Sequence, residues 1–226
     1  MLNGIAVSGG FAIGKILKLE EETICYNTQA YAGKQSEQHR YETALREFTH
    51  KTNAAASDLR RIVSKEEADI FTGHIYMAHD PDMQRMIKEK IASGFNAEMA
   101  MESACDSFID LLSAADSQLI KQRAADVRDI KHSLLCILTA RGQKERNIPL
   151  GSVIAAREFT PSAVHFMDRR RTVAAVAEQG KRNSHFAILM RAMGIPAVLS
   201  VKNLMHTLHD ADKVIVDGNS GEVIKI

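Results

Sequence analysis

Apolar residues change their spacing twice along this chain. Between residues 36 and 141 they recur in steps of three and four, whereas on either side they lie in short, β-branched runs punctuated by glycine. Tyr41, Leu45, Phe48, Thr52, Ala55, Leu59 and Ile62 form one stripe, which predicts a long helix with a single buried face. Ser64-Lys65-Glu66-Glu67 has the form of a capping box and opens a second helix, with Phe71, Ile75 and Ala78 inward. Asp80-Pro81 reads as the cap and first-turn proline of a third, which turns Met83, Met86, Ile87 and Ile91 to the core. Gly94 ends it. Asn96 then caps a helix expected to bury Ala97, Met101, Ala104, Phe108 and Leu111. Asp116 opens the last, aligning Ile120, Ala124, Val127, Leu134 and Leu138 ahead of Gly142. Connections this short favour antiparallel helices packed as a bundle.

Outside that block, residues 5–19 read as strands and turns, and residues 152–156, 172–177, 197–201, 213–216 and 222–226 as further strands with short helices between several of them. Strands at both ends with helices between predict one α/β domain, residues 1–32 and 143–226, interrupted by an all-α insertion over residues 33–142.

Composition narrows the function. With 226 residues, 45% hydrophobic and 25% charged, the chain has enough apolar mass for two small cores and is unlike a disordered segment. Its formal net charge of +1 supplies no field for nucleic acid or a membrane surface, and without tryptophan no base-stacking platform is suggested. Cys25, Cys105 and Cys136 are odd in number and far apart, as in a reducing compartment, with the latter two expected as small core residues. Residues 1–15 lack a basic leader, and Gly4, Gly9, Gly10 and Gly14 break their apolar stretch, so neither a signal peptide nor a membrane span is expected. A cytoplasmic protein is the expectation.

The richest chemistry lies between Gly180 and Pro196. Asn183 or Ser184 can cap a helix running to Gly194, which puts His185 in its first turn. Amides there have no intrahelical acceptor and the helix dipole adds positive potential, so an anion is favoured and an imidazolium disfavoured. A neutral imidazole at that position can attack phosphorus and hold the product phosphate where the helix end stabilises it. Lys181 and Arg182, just upstream, can add charge-assisted contacts, or equally serve as solvated loop charges. His206 and His209, near Asp210 and Asp212, have no third ligand at motif spacing and read as a solvated turn.

Several motifs, in order, resemble the N-terminal half of enzyme I of the bacterial sugar phosphotransferase system. The opening Gly4-Ile5-Ala6-Val7-Ser8-Gly9-Gly10-Phe11-Ala12-Ile13-Gly14-Lys15 is similar to that family's first strand and turn. Ile70-Phe71, Gly73-His74-Ile75, Asp80-Pro81 and Arg123-Ala124-Ala125-Asp126-Val127-Arg128-Asp129-Ile130 resemble its helical insertion. Thr160-Pro161-Ser162, Ser184-His185, Gly194-Ile195-Pro196-Ala197-Val198 and Val216-Asp217-Gly218 with Gly221 resemble its phosphohistidine domain.

The resemblance implies a swivelling phosphohistidine α/β domain carrying an inserted helical-hairpin bundle. It makes His185 the phosphorylated residue, reacting through Nε2 and supported by Ser184 and Asn183, with Lys181 and Arg182 stabilising phosphate. Phosphoenolpyruvate is the implied donor and the histidine-containing carrier protein HPr the acceptor. Glu66, Glu67, Met77, Asp82, Ile120 and Arg123 are the implied carrier-binding residues. Family members continue into a barrel that binds phosphoenolpyruvate and magnesium, so no cofactor or metal is expected in this chain and phosphoenolpyruvate is not expected to be used by it alone. Pyruvate, phosphate dikinases share the histidine domain but lack this type of insertion.

The chain departs from the family pattern around the histidine. Lys181 replaces a glycine, Phe186 a small hydroxyl residue, Met190 an alanine, and Val164 a threonine that some members place within reach of the histidine. Because phosphoryl transfer depends on positioning and electrostatics, these changes bear on rate and partner. Two alternatives follow: an impaired paralogue acting as a regulatory HPr-binding module, or a dikinase-type swivelling domain.

Overall fold

The computed structural model describes residues 1–19, 24–61, 65–140, 148–160, 163, 167 and 170–226, without the side chains of residues 65–68 and 122. The chain divides into two compact units, one of residues 1–22, 60–67 and 146–226, the other of residues 23–59 and 68–145. The first is α/β and the second all-α, as the two changes of apolar spacing predict.

The α/β unit is built on one sheet with strands β1 (Leu2–Asn3), β2 (Ile5–Ser8), β3 (Phe11–Leu19), β4 (Ser152–Ala156), β5 (Thr172–Ala177), β6 (Ala197–Leu199), β7 (Lys213–Asp217) and β8 (Glu222–Lys225). Their order is β1-β8-β7-β3-β4-β5-β6-β2. Strands β3 to β6 run parallel, and β7, β8, β1 and β2 add antiparallel pairings. The two outermost strands, β1 and β2, are consecutive in the chain and joined at Gly4, so the sheet curls until its edges meet. A side chain at Gly4 would come within 2.5 Å of the Leu199 carbonyl oxygen, so only glycine fits this junction. The curled sheet encloses Ile16, Val153, Ala155, Ala174, Val176, Val198, Val214, Val216 and Val223. The short helices of this unit are α6 (His185–Met193) and α7 (Leu204–Thr207).

The helical unit contains α1 (Lys34–Leu59), most of α2 (Lys65–Ala78), α3 (Pro81–Ala92), α4 (Ala97–Ala114) and α5 (Gln118–Leu138). Two of its helix starts follow directly from local sequence. Asp80 Oδ1 accepts from the amides of Asp82 (2.9 Å) and Met83 (3.1 Å), with Pro81 in the first turn. Asn96 Oδ1 accepts from the Met99 amide at 2.9 Å. The predicted stripe on α1 is buried from Tyr41 to Leu59, and its Tyr41, Leu45 and Phe48 meet Met83, Ile87, Ile91, Met101, Ala104, Ala124, Val127 and Leu134 in one core. Ile62, Ser64 and Gly142 fall outside the described residues.

Three expectations are corrected. Leu111, read as buried, is 69% exposed, and Ile109 takes the core position instead. Ile120, aligned with the inner stripe, is also exposed. Ser117, not Asp116, stands at the cap position of α5, and its side chain makes no capping bond. Ile109 and Leu112 both pack on the core, so the inward face of α4 runs through them and Leu111 is turned away from it.

Residues 24–32, which the sequence groups with the strands, belong to the helical unit. Ile24 and Tyr26 pack on the helical core, and the Tyr26 hydroxyl donates to Glu102. Cys105 is buried in the same core, where burial pushes its thiol up to about 12; Cys25 is exposed and Cys136 half-buried. No described helix is long and apolar enough to cross a membrane.

Candidate phosphoryl-acceptor site

Ser184 is the residue that caps α6: its Oγ accepts from the Ala187 amide at 3.2 Å, and its carbonyl accepts from the Ile188 amide at 3.1 Å. That makes His185 the first helical residue, half-buried and ahead of the regular amide-to-carbonyl ladder. The other end of α6 closes on Gly194 in the left-handed conformation (φ 64°), with the Ile195 amide donating back to the Met190 carbonyl. Both ends of this nine-residue helix are therefore set by local sequence.

The turn entering α6 is held from three directions. Gly180 has φ +137°, a conformation that residues with a side chain rarely adopt, so the backbone here requires glycine. Its carbonyl accepts from Ser200 Oγ at 2.7 Å. The Ser184 amide donates to the Lys181 carbonyl at 3.0 Å. Arg191, which the sequence reading passed over, donates through Nη1 to the Arg182 carbonyl and to the Val7 carbonyl on β2, each at 3.0 Å. This guanidinium ties the turn before His185 to the sheet. The signal available in the sequence was a lone cation in the last turn of a short helix, which ordinarily marks only the dipole.

Lys181, Arg182 and Asn183 all have exposed side chains in this turn. Phe186 does not crowd His185. It is buried and stacked on Phe159, with ring centroids 4.1 Å apart and an interplanar angle of 13°. Since Phe159 precedes Thr160 and Phe186 follows His185, the stack brings two motif segments together that are distant in sequence. Met190 is buried on the same helix. Pro161, Ser162 and Val164 lie outside the described residues.

The proposed partner-binding residues have mixed surroundings. Asp82 is exposed and paired with Arg85 at 3.0 Å. Met77 is half-buried and packs partly on the helical core. Ile120 is exposed, and Arg123 pairs with Asp126 at 3.1 Å. Met77 lies one turn beyond His74 and Arg123 one turn before Asp126, on two helices joined by a His74–Asp126 pair. The side chains of Glu66 and Glu67 are outside the described residues. Tyr76, Leu111 and Leu119 are large exposed apolar residues of the same unit, and Tyr76 and Leu119 were missed by the sequence reading. Around the two other histidines, Asp210 accepts from the Lys18 amide and Asp212 from Lys225 and the His209 amide, which makes this segment a surface turn.

A curled mixed sheet with a histidine at the start of a short capped helix, plus an inserted helical bundle, defines a protein class, and comparison with known proteins assigns it. The chain belongs to the family described as "PEP-utilising enzyme, N-terminal", whose model matches residues 3–123; "PEP-utilising enzyme, mobile domain" matches residues 148–221. It is 33% identical over 99% of its length to a phosphoenolpyruvate-protein phosphotransferase of Priestia megaterium, and 30% identical to the one of Bacillus subtilis strain 168. It spans only 39% and 40% of those two proteins. A solution structure titled as Enzyme I (nEIt) superposes with a TM-score of 0.76 at 27% identity, covering 100% of this chain and 92% of the other. The N-terminal domain of "Enzyme 1 - Nitrogen" shares the fold, with a TM-score of 0.73.

Proposed function

We propose that His185 accepts a phosphoryl group through Nε2 and passes it to a histidine-containing carrier protein, HPr or a paralogue, docked on the helical unit. In each transfer a nitrogen–phosphorus bond forms as the bond from phosphorus to its previous carrier breaks. The observation that carries this reading is the position of His185 as the first residue of α6, where the helix end offers amide donors and positive potential to an arriving phosphate. Lys181 and Arg182 add exposed positive charge in the same turn. Ser184 holds the helix start, and Asn183 completes the turn. Donor chemistry at phosphoenolpyruvate, with magnesium, is assigned to a separate barrel domain. A relay of this kind belongs in the cytoplasm.

Docking is assigned to Glu66, Glu67, Met77, Asp82, Ile120 and Arg123, where an acidic rim around exposed apolar groups would steer a basic carrier. The burial of Phe186 favours transfer over the purely regulatory alternative, because the bulk that replaces a small residue is taken up by Phe159. The test is incubation with phosphorylated HPr and mass measurement of the wild type and His185→Ala. A gain of one phosphate by the wild type alone is expected. Binding without transfer would support the regulatory module, and absence of binding the dikinase-type domain.

A further inference from the structure

Strand β3 outruns its neighbour β4. It pairs with β7 from Phe11 onward, but with β4 only from Lys15, opposite Ser152. The Gly218 amide donates to the Gly10 carbonyl and the Ile16 amide to the Asp212 carbonyl, so the even-numbered residues of β3 direct their backbone groups toward β7. Phe11 and Ile13 therefore direct theirs to the β4 side, where the Lys15 amide finds the Gly151 carbonyl at 3.1 Å. The Gly151 amide, which a longer β4 would offer to Ile13, turns instead to the Arg171 carbonyl at 3.0 Å. Among the described residues no hydrogen bond reaches the amides or carbonyls of Phe11 and Ile13.

This bare edge forms one wall of a cavity of about 570 Å³, and Thr172, Val173, Ile195 and Pro196 form the other. No charged side chain lines the cavity, and Phe11 and Ile13 are 71% and 57% exposed. It adjoins Gly194, which closes α6 at the end opposite His185, so it is separate from the phosphoryl-acceptor site. Two unmet donors and two unmet acceptors, repeating at every second residue of an extended backbone, are the complement of a second extended backbone. Apolar walls beside such an edge take the alternate side chains of an added strand. Lys15 follows on the same face of β3 as Phe11 and Ile13, with Lys213 beside it in register. Both lysines are exposed and neither has an ion pair among the described residues, so this end of the edge favours a carboxylate. We propose that the free edge of β3 takes up, as an added strand, an extended apolar peptide segment flanked by an acidic residue. The proposal is independent of phosphoryl transfer at His185.

The probe is the blocked peptide Asp-Val-Ile-Val-Asp, titrated to millimolar concentration against the intact nitrogen-15-labelled chain. Saturable shifts of the Phe11 and Ile13 amides are expected, with their hydrogen exchange slowed about tenfold in the complex. The same peptide N-methylated at its three central residues has no donors for an edge and should bind about tenfold more weakly. Lys15→Glu, a surface change outside the cavity, should weaken binding of the aspartate-flanked peptide about threefold and strengthen that of a lysine-flanked one. Absence of saturable binding, shifts that spare Phe11 and Ile13, or equal binding of the N-methylated peptide would each overturn strand addition. A Lys15→Glu chain that treats both flanked peptides as the wild type does would overturn the acidic flank.

Discussion

Among the described residues, the buried polar side chains of the α/β unit are Ser8, Ser152 and Thr172, whereas those of the helical unit include Glu37, His74, Glu98, Asp126 and Asp129. The difference follows from how each unit satisfies its backbone. A sheet pairs its amides and carbonyls across strands, so the same hydrogen bonds that satisfy the backbone also set the register between elements. A helix satisfies its backbone internally, which leaves its position against a neighbour to side chains. Glu37 illustrates this: its carboxylate accepts from the amides of Ala32 and Ala97, the latter on α4, and pairs with Arg40, which also reaches Glu98. In the α/β unit the corresponding work is done by backbone contact at glycine. Gly218 donates to the Gly10 carbonyl at 2.8 Å, and a Cβ on it would meet the Ser8 carbonyl oxygen at 2.0 Å.

The sharpest way to break this contrast is to add one methyl group to each unit. Gly218→Ala should cost about 4 kcal/mol in urea unfolding, because backbone must move to admit it. Gly73→Ala, where nothing lies within 4 Å of the added carbon, should be neutral or stabilising by up to about 1 kcal/mol.

The converse test removes a charge. Glu37→Ala should cost about 3 kcal/mol by leaving two amides and Arg40 without their acceptor. Burial pushes the Glu37 carboxyl up, but the bonds from Ala32, Ala97 and Arg40 outweigh it and hold the carboxyl below its ordinary value. A carboxyl lowered in the folded state adds stability that is fully present above the unfolded value, about 4.3, and fades as pH falls through the folded one. Acid unfolding of wild type should therefore be steeper below that pH than that of Glu37→Gln; parallel curves would exclude Glu37 as the acid-sensitive group.

A smaller effect separates site from scaffold. Arg191→Ala should cost about 1 kcal/mol of stability, as expected for lost hydrogen bonds at a partly exposed position. It should also slow phosphoryl exchange at His185 about tenfold while leaving HPr affinity unchanged, since only the turn before the histidine is loosened. A fall in affinity of the same size would mean that Arg191 acts on docking instead.

Local signals determined much of this protein. Asp80-Pro81, Asn96, Ser184 and Gly194 act on amides and carbonyls within a few residues, so the starts of α3, α4 and α6 and the end of α6 could be read directly. The strands around Ser152, Thr172 and Lys213 were legible for a similar reason, as β-branched runs bounded by turns. The position of His185 in the first turn of a helix came with them.

Other features depend on neighbours that are distant in the chain. Phe186 reads as an intrusion beside His185 until Phe159 is seen stacked on it. Leu111 and Ile109 are both apolar and two positions apart, on nearly opposite faces of α4, and only the face that the neighbouring helices cover decides which one is buried. Arg191 and His74 look ordinary in sequence because the carbonyl of Val7 and the carboxylates of Asp126 and Asp129 reach them from other elements. Hydrogen-bonding needs within one turn are written in adjacent residues, but the choice of partner across elements is made by packing. The sequence by itself therefore specified the helix that presents the histidine, and the tertiary structure alone decided what holds that helix and its surroundings in place.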